Sequence, residues 1–440
     1  MKCAILTPIG PGHELFALDA AESVKKACAT SLGPFDSIAF IEVDDTRGEL
    51  GRSVARNQGV QLAQQAGADW VFFLDADDIL DARAFASVAP YVDRHDAVWG
   101  AIYELAEDEE SGVVRPGQLL EMTSLEQLLA NDPWITLQIG HFVKTQAALA
   151  TPFDPQLNSG EDFDYYLRLW SRFKCIKIPV PLFYNRRGTH AEGPRATTDR
   201  EWRIAVQRII CEKCVATDFH ADFEHRGEKF RFYVFNPFDV IQRHYLKGRF
   251  FELEELACLE TWIAPNANIV EVGAYVGNHV VYYSRFLKPR RITVLEPNPE
   301  AIGLLRRNLD ANAVNNADLT RLGVAASDVE ARYDLVCDKI DNLGATHLVQ
   351  ASTGGVISAP LDALIEHPVD FMKIDVEGME LEVLAGAKRI IAGTRPKIMI
   401  EVFREHIPAF RQWVENNAYS VVRTFDQYVF AKNFLIEPAG

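Results

Sequence analysis

The chain has 440 residues, of which 48% are hydrophobic and 24% charged, and its formal net charge is −17. This composition is typical of a soluble globular protein, and the length predicts two or three domains. A strongly acidic chain without a basic stripe is not expected to bind nucleic acid, because lysine and arginine are needed to neutralise phosphates. The seven cysteines are scattered, which favours a reducing compartment over a disulfide framework.

The N-terminal sequence MKCAILTPIG predicts a first β-strand rather than a signal peptide. No apolar run reaches the roughly 18–20 residues that span a bilayer. We therefore expect a cytoplasmic protein without a transmembrane segment. Cys211 and Cys214 form a close pair, but no second Cys/His pair lies nearby at zinc spacing, so a zinc site is not predicted.

In the first half of the chain, apolar strands alternate with helices. Strands are predicted at 2–6, 37–43 and 70–74, and helices at 15–29 and 50–66. This alternation predicts a parallel sheet covered by helices on both faces, in which ligands bind beyond the carboxyl ends of the strands. Three segments follow these strand ends and should converge on one crevice: Thr7-Pro8, Asp44-Asp45 and 75–78.

An acidic motif directly follows the third predicted strand. Asp75 and Asp77 lie two residues apart after the apolar run WVFFL, and Asp78 follows them. Two carboxylates at this spacing can bind one divalent ion that also holds a diphosphate, and Mg²⁺ and Mn²⁺ prefer such oxygen ligands. Acids are also common in turns, so the motif alone leaves a solvated turn as an equal alternative.

Taken together, the motifs of the first half resemble those of family 2 glycosyltransferases of GT-A fold. The sequence ARNQG at 55–59 precedes FFLDADD at 72–78, and GEDF at 160–163 precedes a predicted helix. The resemblance covers roughly residues 1–205. It implies a metal-dependent, inverting transfer from a nucleotide-sugar donor to an acceptor hydroxyl.

The same resemblance implies roles for individual residues. It puts Pro8, Asp44 and Arg52 near the base and ribose of the donor. It assigns a divalent metal, Mn²⁺ or Mg²⁺, to Asp77, with Asp75 directed toward the donor.

Two further residues of the first half have alternative interpretations. The resemblance implies Asp162 as the general base for the acceptor hydroxyl, although its position also suits a helix cap, and one residue can serve both roles. His190 falls where some GT-A enzymes supply a late metal ligand, although a lone loop histidine is more often solvated. The Q-x-x-R-W signature of processive synthases is absent, which favours transfer of a single sugar.

Residues 215–235 separate the two halves; 215–229 are polar, and RFYVFN at 231–236 is strand-like. The two histidines of this stretch lack consistent metal-ligand spacing, so we interpret the stretch as a linker. This interpretation puts a glycosyltransferase-like domain at 1–214 and a second domain at 236–440.

The second half is organised around residues 269–296, IVEVGAYVGNHVVYYSRFLKPRRITVLE, which predict strand, glycine turn, helix and strand. Glycines allow close approach of a ligand, and the acid after the second strand can accept hydrogen bonds from ribose hydroxyls. The turn is E-x-G-x-x-x-G rather than the G-x-G-x-x-G of nicotinamide enzymes. This difference favours a cationic, phosphate-free nucleoside such as S-adenosylmethionine (SAM). The alternative is a Rossmann-like unit without a ligand.

Longer motifs narrow this interpretation. IVEVGAYVGNH, VLEPNP, LRRNLDAN and MKIDVEGMELEVLAGA followed by PKIMIEVF resemble the FkbM family of O-methyltransferases over roughly residues 230–435. The resemblance implies a class I SAM-dependent methyltransferase and assigns Glu271, Gly273, Gly277 and Glu296 to the cofactor. The family generally has aspartate at the position of Glu271 and often asparagine at that of Tyr275.

Acids of the KIDVEGMELE segment are candidates for catalysis. Asp375 and Glu377 lie two residues apart at a predicted strand end, and either could remove the acceptor proton. A divalent ion held by the same acids could instead lower the pKa of the acceptor hydroxyl. Glu377 and Glu380 could alternatively cap the next helix. Glu401, after PKIMI, could face the same pocket.

These observations predict an α/β protein with an N-terminal GT-A domain and a C-terminal class I SAM methyltransferase domain, both Rossmann-like. We expect a bifunctional enzyme that attaches a sugar and methylates a hydroxyl, expected to be a sugar hydroxyl of a glycan or glycosylated acceptor. The fusion motivates the hypothesis that the two reactions follow each other. Two alternatives are an O-methyltransferase with a catalytically silent, sugar-binding first half, and a non-enzymatic carbohydrate-binding scaffold. The sequence leaves open the donor sugar, the acceptor and whether the chain forms a homo-oligomer.

Overall fold

The computed structural model describes residues 1–105, 112–157, 159–186, 199–336 and 346–439. Contacts within the chain divide it into two compact units, Met1–Thr217 and Asp218–Gly440. Each unit is α/β, as expected. No helix within these ranges is long and apolar enough to cross a membrane.

The described part of the first unit contains ten strands and eight helices. The strands are β1 (Lys2–Ile9), β2 (Ser37–Asp44), β3 (Trp70–Phe73), β4 (Ile79–Leu80), β5 (Ala97–Gly100), β6 (Tyr103–Leu105), β7 (Val113–Val114), β8 (His141–Lys144), β9 (Cys175–Ile178) and β10 (Phe183–Arg186). The helices are α1 (Glu14–Thr30), α2 (Arg52–Gln65), α3 (Ala84–Val88), α4 (Leu125–Ala130), α5 (Pro133–Thr136), α6 (Thr145–Ala150), α7 (Glu161–Trp170) and α8 (Asp199–Ala216).

The main sheet of the first unit is mixed, whereas the strand–helix alternation predicted a parallel sheet. Its six strands lie in the order β2-β1-β3-β8-β5-β9. The first three are parallel as predicted, but β8 is antiparallel to both of its neighbours, β3 and β5. An apolar pattern indicates that a strand is buried but not its direction, and that pattern alone cannot distinguish β8 from a parallel strand. A smaller sheet of β4, β10, β6 and β7 completes the unit.

The core of the first unit forms around β3. All four residues of β3 are buried, because the strand lies between β1 and β8 and is covered on both faces. Phe72 packs against Phe142 of β8 with ring centroids 4.7 Å apart. Parallel strands β1, β2 and β3 end at the same edge of the sheet, so the segments after them are brought to one side of the unit.

Residues 215–235 are not simply a linker, and that prediction is wrong for most of the stretch. Strands β11 (His220–His225) and β12 (Glu228–Tyr233) pair antiparallel over their whole lengths and belong to the second unit. Their aromatic residues alternate with polar ones, so that one face is apolar. Phe223, Phe230 and Phe232 on this face are buried in the core.

The described part of the second unit contains thirteen strands, eight α-helices and one π-helical segment, Tyr283–Leu287. After the hairpin, the strands are β13 (Asn268–Val272), β14 (Arg291–Leu295), β15 (Ala317–Asp318), β16 (Val324–Ser327), β17 (Ala331–Val336), β18 (His347–Gln350), β19 (Val356–Pro360), β20 (Phe371–Ile374), β21 (Lys397–Phe403), β22 (Tyr419–Phe425) and β23 (Ala431–Pro438). The helices are α9 (Val240–Leu246), α10 (Leu253–Trp262), α11 (Asn278–Tyr282), α12 (Pro299–Ala311), α13 (Leu361–Leu364), α14 (Glu380–Ala385), α15 (Lys388–Thr394) and α16 (Ile407–Asn416).

The seven-stranded sheet of the second unit has the order β15-β14-β13-β20-β21-β23-β22. Its strands are parallel from β15 to β21, and β23 then runs antiparallel to both β21 and β22. The first parallel pair, β13 and β14, flanks the glycine turn and α11, which is the predicted βαβ unit. Parallel strands β13, β14, β20 and β21 therefore end at one edge of the sheet. Residues at this edge and residues of the separate sheet β16-β19-β17-β18 line the same cavity.

Candidate active sites

A cavity lies at the carboxyl ends of β13, β14 and β20 in the second unit. Its polar side includes Glu296, Asp375 and Glu377. Its apolar side comes mainly from the separate sheet and the start of α14: Val324, Ala325, Ala326, Leu335, Leu348 and Met379. A cavity with one charged and one apolar wall suits a nucleoside, whose ribose is polar and whose base is flat and largely apolar.

Glu296 connects the glycine turn to the end of β14. Its Oε2 accepts a hydrogen bond from the backbone N–H of Tyr275 at 2.7 Å, and its Oε1 accepts one from the N–H of Asn298 at 2.9 Å. Burial, with a smaller contribution from Asp375, raises the pKa of Glu296 to about 7. The carboxyl group lines the cavity, so it can also accept hydrogen bonds from a ligand.

The glycine turn requires glycine at two positions for different reasons. At Gly273, with φ of +85°, a Cβ atom would lie 1.7 Å from the backbone oxygen of Asp375, so no side chain fits. Gly277, with φ of +88°, precedes α11 and packs against Leu305 and Leu309 of α12. Of these two predicted cofactor residues, Gly273 lines the cavity, and Gly277 is not among the lining residues.

Tyr275 occupies a left-handed position of this turn, with φ of +46°. Asparagine adopts such a conformation more readily than tyrosine, which gives a physical reason for the asparagine common in the FkbM family at this position. The tyrosine hydroxyl donates a hydrogen bond to Asp239 Oδ2 at 3.0 Å and accepts one from Gln242 Nε2 at 3.1 Å. These contacts favour the strained backbone conformation.

Glu271 is fully buried behind the cavity and does not line it. Its Oε1 lies 3.4 Å from Nδ1 of His279, and Nε2 of the same ring lies 3.0 Å from Oε2 of Glu252. Although burial and Lys373 lower it, these two carboxylates raise the pKa of His279. Neither carboxylate oxygen of Glu271 has a hydrogen-bond partner among the described residues, and its assignment as a direct cofactor contact stays a prediction.

Lys373 connects this buried network to the cavity. Its Nζ donates a hydrogen bond to Oδ2 of Asp375 at 2.7 Å, and the lysine is almost fully buried. Burial would lower the pKa of Lys373, but Asp375, Glu271 and Glu252 together raise it. The lysine therefore stays charged and holds Asp375 at the cavity wall.

The remaining acids of this region differ in their contacts. Glu377, in a left-handed conformation with φ of +51°, lines the cavity beside Asp375. Glu380 is buried, accepts a hydrogen bond from the N–H of Gly378 at 2.9 Å and lies 3.0 Å from Nδ1 of His406. Glu380 therefore orients the start of α14, which was the alternative interpretation for this residue.

In the first unit, Arg56 joins the two acidic motifs. Its Nη2 donates to Asp75 Oδ1 at 2.9 Å and Oδ2 at 3.2 Å, and its Nη1 donates to Glu161 Oε1 at 3.3 Å. The arginine is 5% exposed, and the two carboxylates raise its pKa despite burial. One guanidinium thus fixes the end of β3 relative to the start of α7.

Asp162 and Arg52 lie beside this arginine bridge. Burial and the adjacent Glu161 carboxylate raise the pKa of Asp162 to about 7. The exposed Arg52 reaches within 4.0 Å of Glu161, and both line a shallow cavity with residues of the α2 start and with Pro155 and Leu157. A carboxyl group with such a pKa can exchange protons near neutral pH.

The other predicted donor residues lie at the same strand ends. Pro8 pairs with Val43 across β1 and β2, so that Ile9 pairs with Asp44. Asp44 Oδ1 accepts hydrogen bonds from the N–H and hydroxyl of Thr46 at 2.9 and 2.7 Å, and these bonds lower its pKa.

The predicted metal residues are only partly described. Asp77 is half-buried after β3, and the neighbouring Asp78 is buried, with Asn185 donating to its Oδ1 at 3.1 Å. Burial, followed by Asp77 and Asp75, raises the pKa of Asp78. His190 lies outside the described residues. Two carboxylates, one of them hydrogen-bonded to Arg56, supply only part of the ligands that a divalent ion needs. Metal binding here therefore stays a prediction.

Three charged residues that shape these sites were not singled out from the sequence: Arg56, Lys373 and Glu252. Arg56 lies within ARNQG and Lys373 within MKIDVEG, so both motifs marked the right segments. Their roles depend on partners far away in the chain, such as Glu161, which is 105 residues from Arg56. Glu252 lies outside every motif.

Comparison with known families confirms the expected pair of domains. Residues 271–421 match the methyltransferase FkbM domain, and residues 34–149 match glycosyl transferase family 2. No curated protein matches the chain.

Several solved structures match parts of the chain at low sequence identity. Residues 1–349 of TarS from S. aureus, in complex with UDP-GlcNAc, are 16% identical, with a TM-score of 0.36 over 49% of this chain and 66% of that fragment. The chain thus matches slightly less than two thirds of that fragment. TYW2 from M. jannaschii, in complex with AdoMet, is 15% identical, with a TM-score of 0.30 over 50% of this chain and 86% of that protein. An rRNA methylase from Streptococcus thermophilus is 10% identical, with a TM-score of 0.29 over 42% of this chain and 95% of that protein.

Proposed function

We propose that this chain, which joins a family 2 glycosyl transferase domain to a methyltransferase FkbM domain, is a bifunctional glycan-modifying enzyme. The second unit transfers a methyl group from SAM to a hydroxyl, for which we propose a sugar hydroxyl. The first unit transfers a sugar from a nucleotide-sugar donor. The cavity at the ends of β13, β14 and β20, with its charged and apolar walls, is the observation that carries this proposal.

The cavity residues suit the parts of SAM. The ribose hydroxyls would donate to Glu296, which the backbone of the glycine turn already orients. The adenine would lie against the apolar side formed by Val324, Leu335 and Leu348. When bound, SAM supplies a methyl group on a positively charged sulfur, and an acidic cavity stabilises that charge.

Methyl transfer requires the acceptor oxygen to lie in line with the methyl–sulfur bond. With SAM bound, the acceptor oxygen would form the new bond to the methyl carbon as the sulfur–carbon bond breaks, and S-adenosylhomocysteine would leave. The hydroxyl proton passes to the carboxylate of Asp375 or Glu377, both of which line the cavity. Lys373 occupies Oδ2 of Asp375, so Oδ1 is the oxygen directed to accept the proton.

In the first unit, Asp162 would accept the proton of the acceptor hydroxyl as that oxygen bonds to the anomeric carbon of the donor. The bond from this carbon to the diphosphate breaks, and the nucleoside diphosphate leaves. Asp77 would hold the divalent metal, which supplies positive charge to the departing diphosphate. Arg56 keeps Asp75 and the start of α7 in fixed positions for this reaction.

A SAM binding and transfer assay on the full-length chain tests the methyltransferase proposal. Replacing Glu296 with alanine should weaken SAM binding by about tenfold or more, because hydrogen bonds to a charged group are lost. The exposed Glu300, at the start of α12, provides the matched control Glu300→Ala, which should bind SAM as the wild type does. Equal SAM affinity in both variants, or no methyl transfer to any sugar, would contradict the proposal.

A second assay separates an active glycosyltransferase from a silent sugar-binding module. Hydrolysis or transfer of UDP-, GDP- and TDP-sugars should occur with the wild type and be lost in Asp77→Ala, and the exposed Asp93→Ala should retain it. Sugar binding without turnover in the wild type would favour the silent module. If the chain methylates free nucleotide sugars and not the glycosylated product, this result would contradict the hypothesis that the two reactions follow each other.

A further inference from the structure

Three carboxylates meet beside the proposed SAM cavity. Asp375 and Glu377 follow β20, and Glu401 lies in the neighbouring strand β21. One oxygen from each lies within 4.8 Å of the other two. Within the described ranges, this is the one group of three metal-ligating side chains with such spacing.

Glu401 differs from the other two acids because it is buried. It is 7% exposed, and among the described residues none donates a hydrogen bond to its carboxyl group. The strand register explains its position: Ile374 pairs with Ile400, so Asp375, directly after β20, lies beside Glu401 of β21. A buried carboxyl group without a hydrogen-bonding partner is unfavourable and needs either a proton or a cation nearby.

The nearby positive charge is already used by other acids. Lys373 donates to Asp375, and its charge is shared with Glu271 and Glu252. Lys373 is therefore already paired before any ion binds, and it makes no hydrogen bond to Glu401 within the described part of the chain.

We propose that Asp375, Glu377 and Glu401 bind one divalent cation of the Mg²⁺ or Mn²⁺ class. Opposite oxygens around Mg²⁺ lie about 4.2 Å apart, since each metal–oxygen bond is about 2.1 Å, so the three side chains reach one ion with small movements. Resting on the proposed methyltransferase function, the ion would also coordinate the acceptor hydroxyl. Coordination lowers the pKa of that hydroxyl, whose proton then passes more easily to a carboxylate oxygen of Asp375 or Glu377 that the ion does not bind.

Binding of Mn²⁺ to the full-length chain, measured by electron paramagnetic resonance as the loss of the free-ion signal, tests this site. The assay uses an Asp77→Ala background, because Asp77 is the proposed metal ligand of the first unit. We expect about one Mn²⁺ per chain in this background and at least about tenfold weaker binding after adding Glu401→Gln. The exposed Glu405 of the same segment provides the control Glu405→Gln, which should leave binding unchanged.

Unchanged Mn²⁺ affinity after Glu401→Gln, or no Mn²⁺ binding in the Asp77→Ala background, would overturn the inference. If Glu401→Gln fails to fold, Glu377→Gln at the cavity wall must give the same loss of binding. SAM affinity measured on the same proteins separates this inference from the proposed function. Methyl transfer that persists in EDTA would contradict the role of the ion at the acceptor hydroxyl, and would leave the proposed methyltransferase function standing.

Discussion

The two units both use a buried cation to position carboxylates at strand ends, but with different side chains. In the first unit, Arg56 contacts Asp75 and Glu161 at once, with separate nitrogens. In the second, Lys373 makes a hydrogen bond to Asp375 alone. A guanidinium presents a planar fork of donors, whereas an ammonium acts as a compact charge on a flexible stem.

This difference decides how much negative charge each site retains. The arginine contacts an acid from each of two motifs, so each of these two carboxylates has a cationic hydrogen-bond donor before any ligand arrives. The lysine is shared among several acids, and Glu401 receives no hydrogen bond from a described residue. We infer that the first site is held rigid by its own residues, whereas the second is suited to a positively charged ligand.

The largest expected effect is the loss of the arginine bridge. Arg56→Met leaves Asp75 and the buried Glu161 without their shared cation and should destabilise the first unit by about 3–5 kcal/mol. Hydrogen exchange of peptides from β3 measures this unit separately from the other. The control Arg208→Ala removes an exposed ion pair with Glu212 and should cost no more than about 0.5 kcal/mol. A similar cost in both variants would contradict the role of Arg56.

Loss of Lys373 should destabilise its unit less than loss of Arg56 destabilises the first unit, and the size of this effect should depend on the acids around the lysine. Lys373→Met should destabilise the second unit by about 3 kcal/mol, because Asp375 and the buried Glu271 lose their cation. Adding Glu401→Gln removes one of the acids that share negative charge in this region and should restore part of this loss, measured by exchange of β20 and β21 peptides. The exposed Lys388→Met serves as the control. If the destabilisation of the double variant equals the sum of the two single variants, Lys373 and Glu401 do not interact, which would contradict this explanation.

The smallest predicted effect is a pH dependence of glycosyl transfer. The pKa of Asp162 is raised to about 7, and a general base must be ionised to accept a proton. The transfer rate should therefore fall about tenfold per pH unit below pH 7 and level off above it. Initial rates at saturating donor between pH 5 and 9 measure this profile. A flat profile in the wild type, or the same profile in Asp162→Asn, would rule out Asp162 as the titrating base.

Sequence reasoning predicted the elements that depend on local pattern. The βαβ unit around residues 269–296 and the parallel strands β1 to β3 follow from apolar periodicity and turn residues, which act over a few residues. The direction of β8 and the pairing of β11 with β12 were not predicted, although RFYVFN at 231–236 was strand-like in sequence. Direction depends on distant connections, and the hairpin's alternation of aromatic and polar residues was obscured by the polarity of the stretch as a whole.

The segments that form the candidate sites could be predicted from sequence motifs, but the pairings between their side chains could not. Asp75, Asp375 and Glu296 follow strand ends, and that position can be derived from the sequence. The pairing of Arg56 with Glu161, or of Lys373 with Glu271, depends on strand order and side-chain direction, which the sequence does not show. Glu271 illustrates the limit, since its motif indicates the cofactor while its side chain faces a buried histidine.

The claim that one chain contains two separate active sites is tested most directly by crossing the two assays with two variants. SAM-dependent methyl transfer and nucleotide-sugar turnover are measured on full-length wild type, Asp77→Ala and Glu296→Ala. We predict that Asp77→Ala loses sugar turnover and keeps SAM binding, while Glu296→Ala loses methyl transfer and keeps sugar turnover. Wild-type protein that supports only one of the two reactions, or variants that lose both together, would contradict the account.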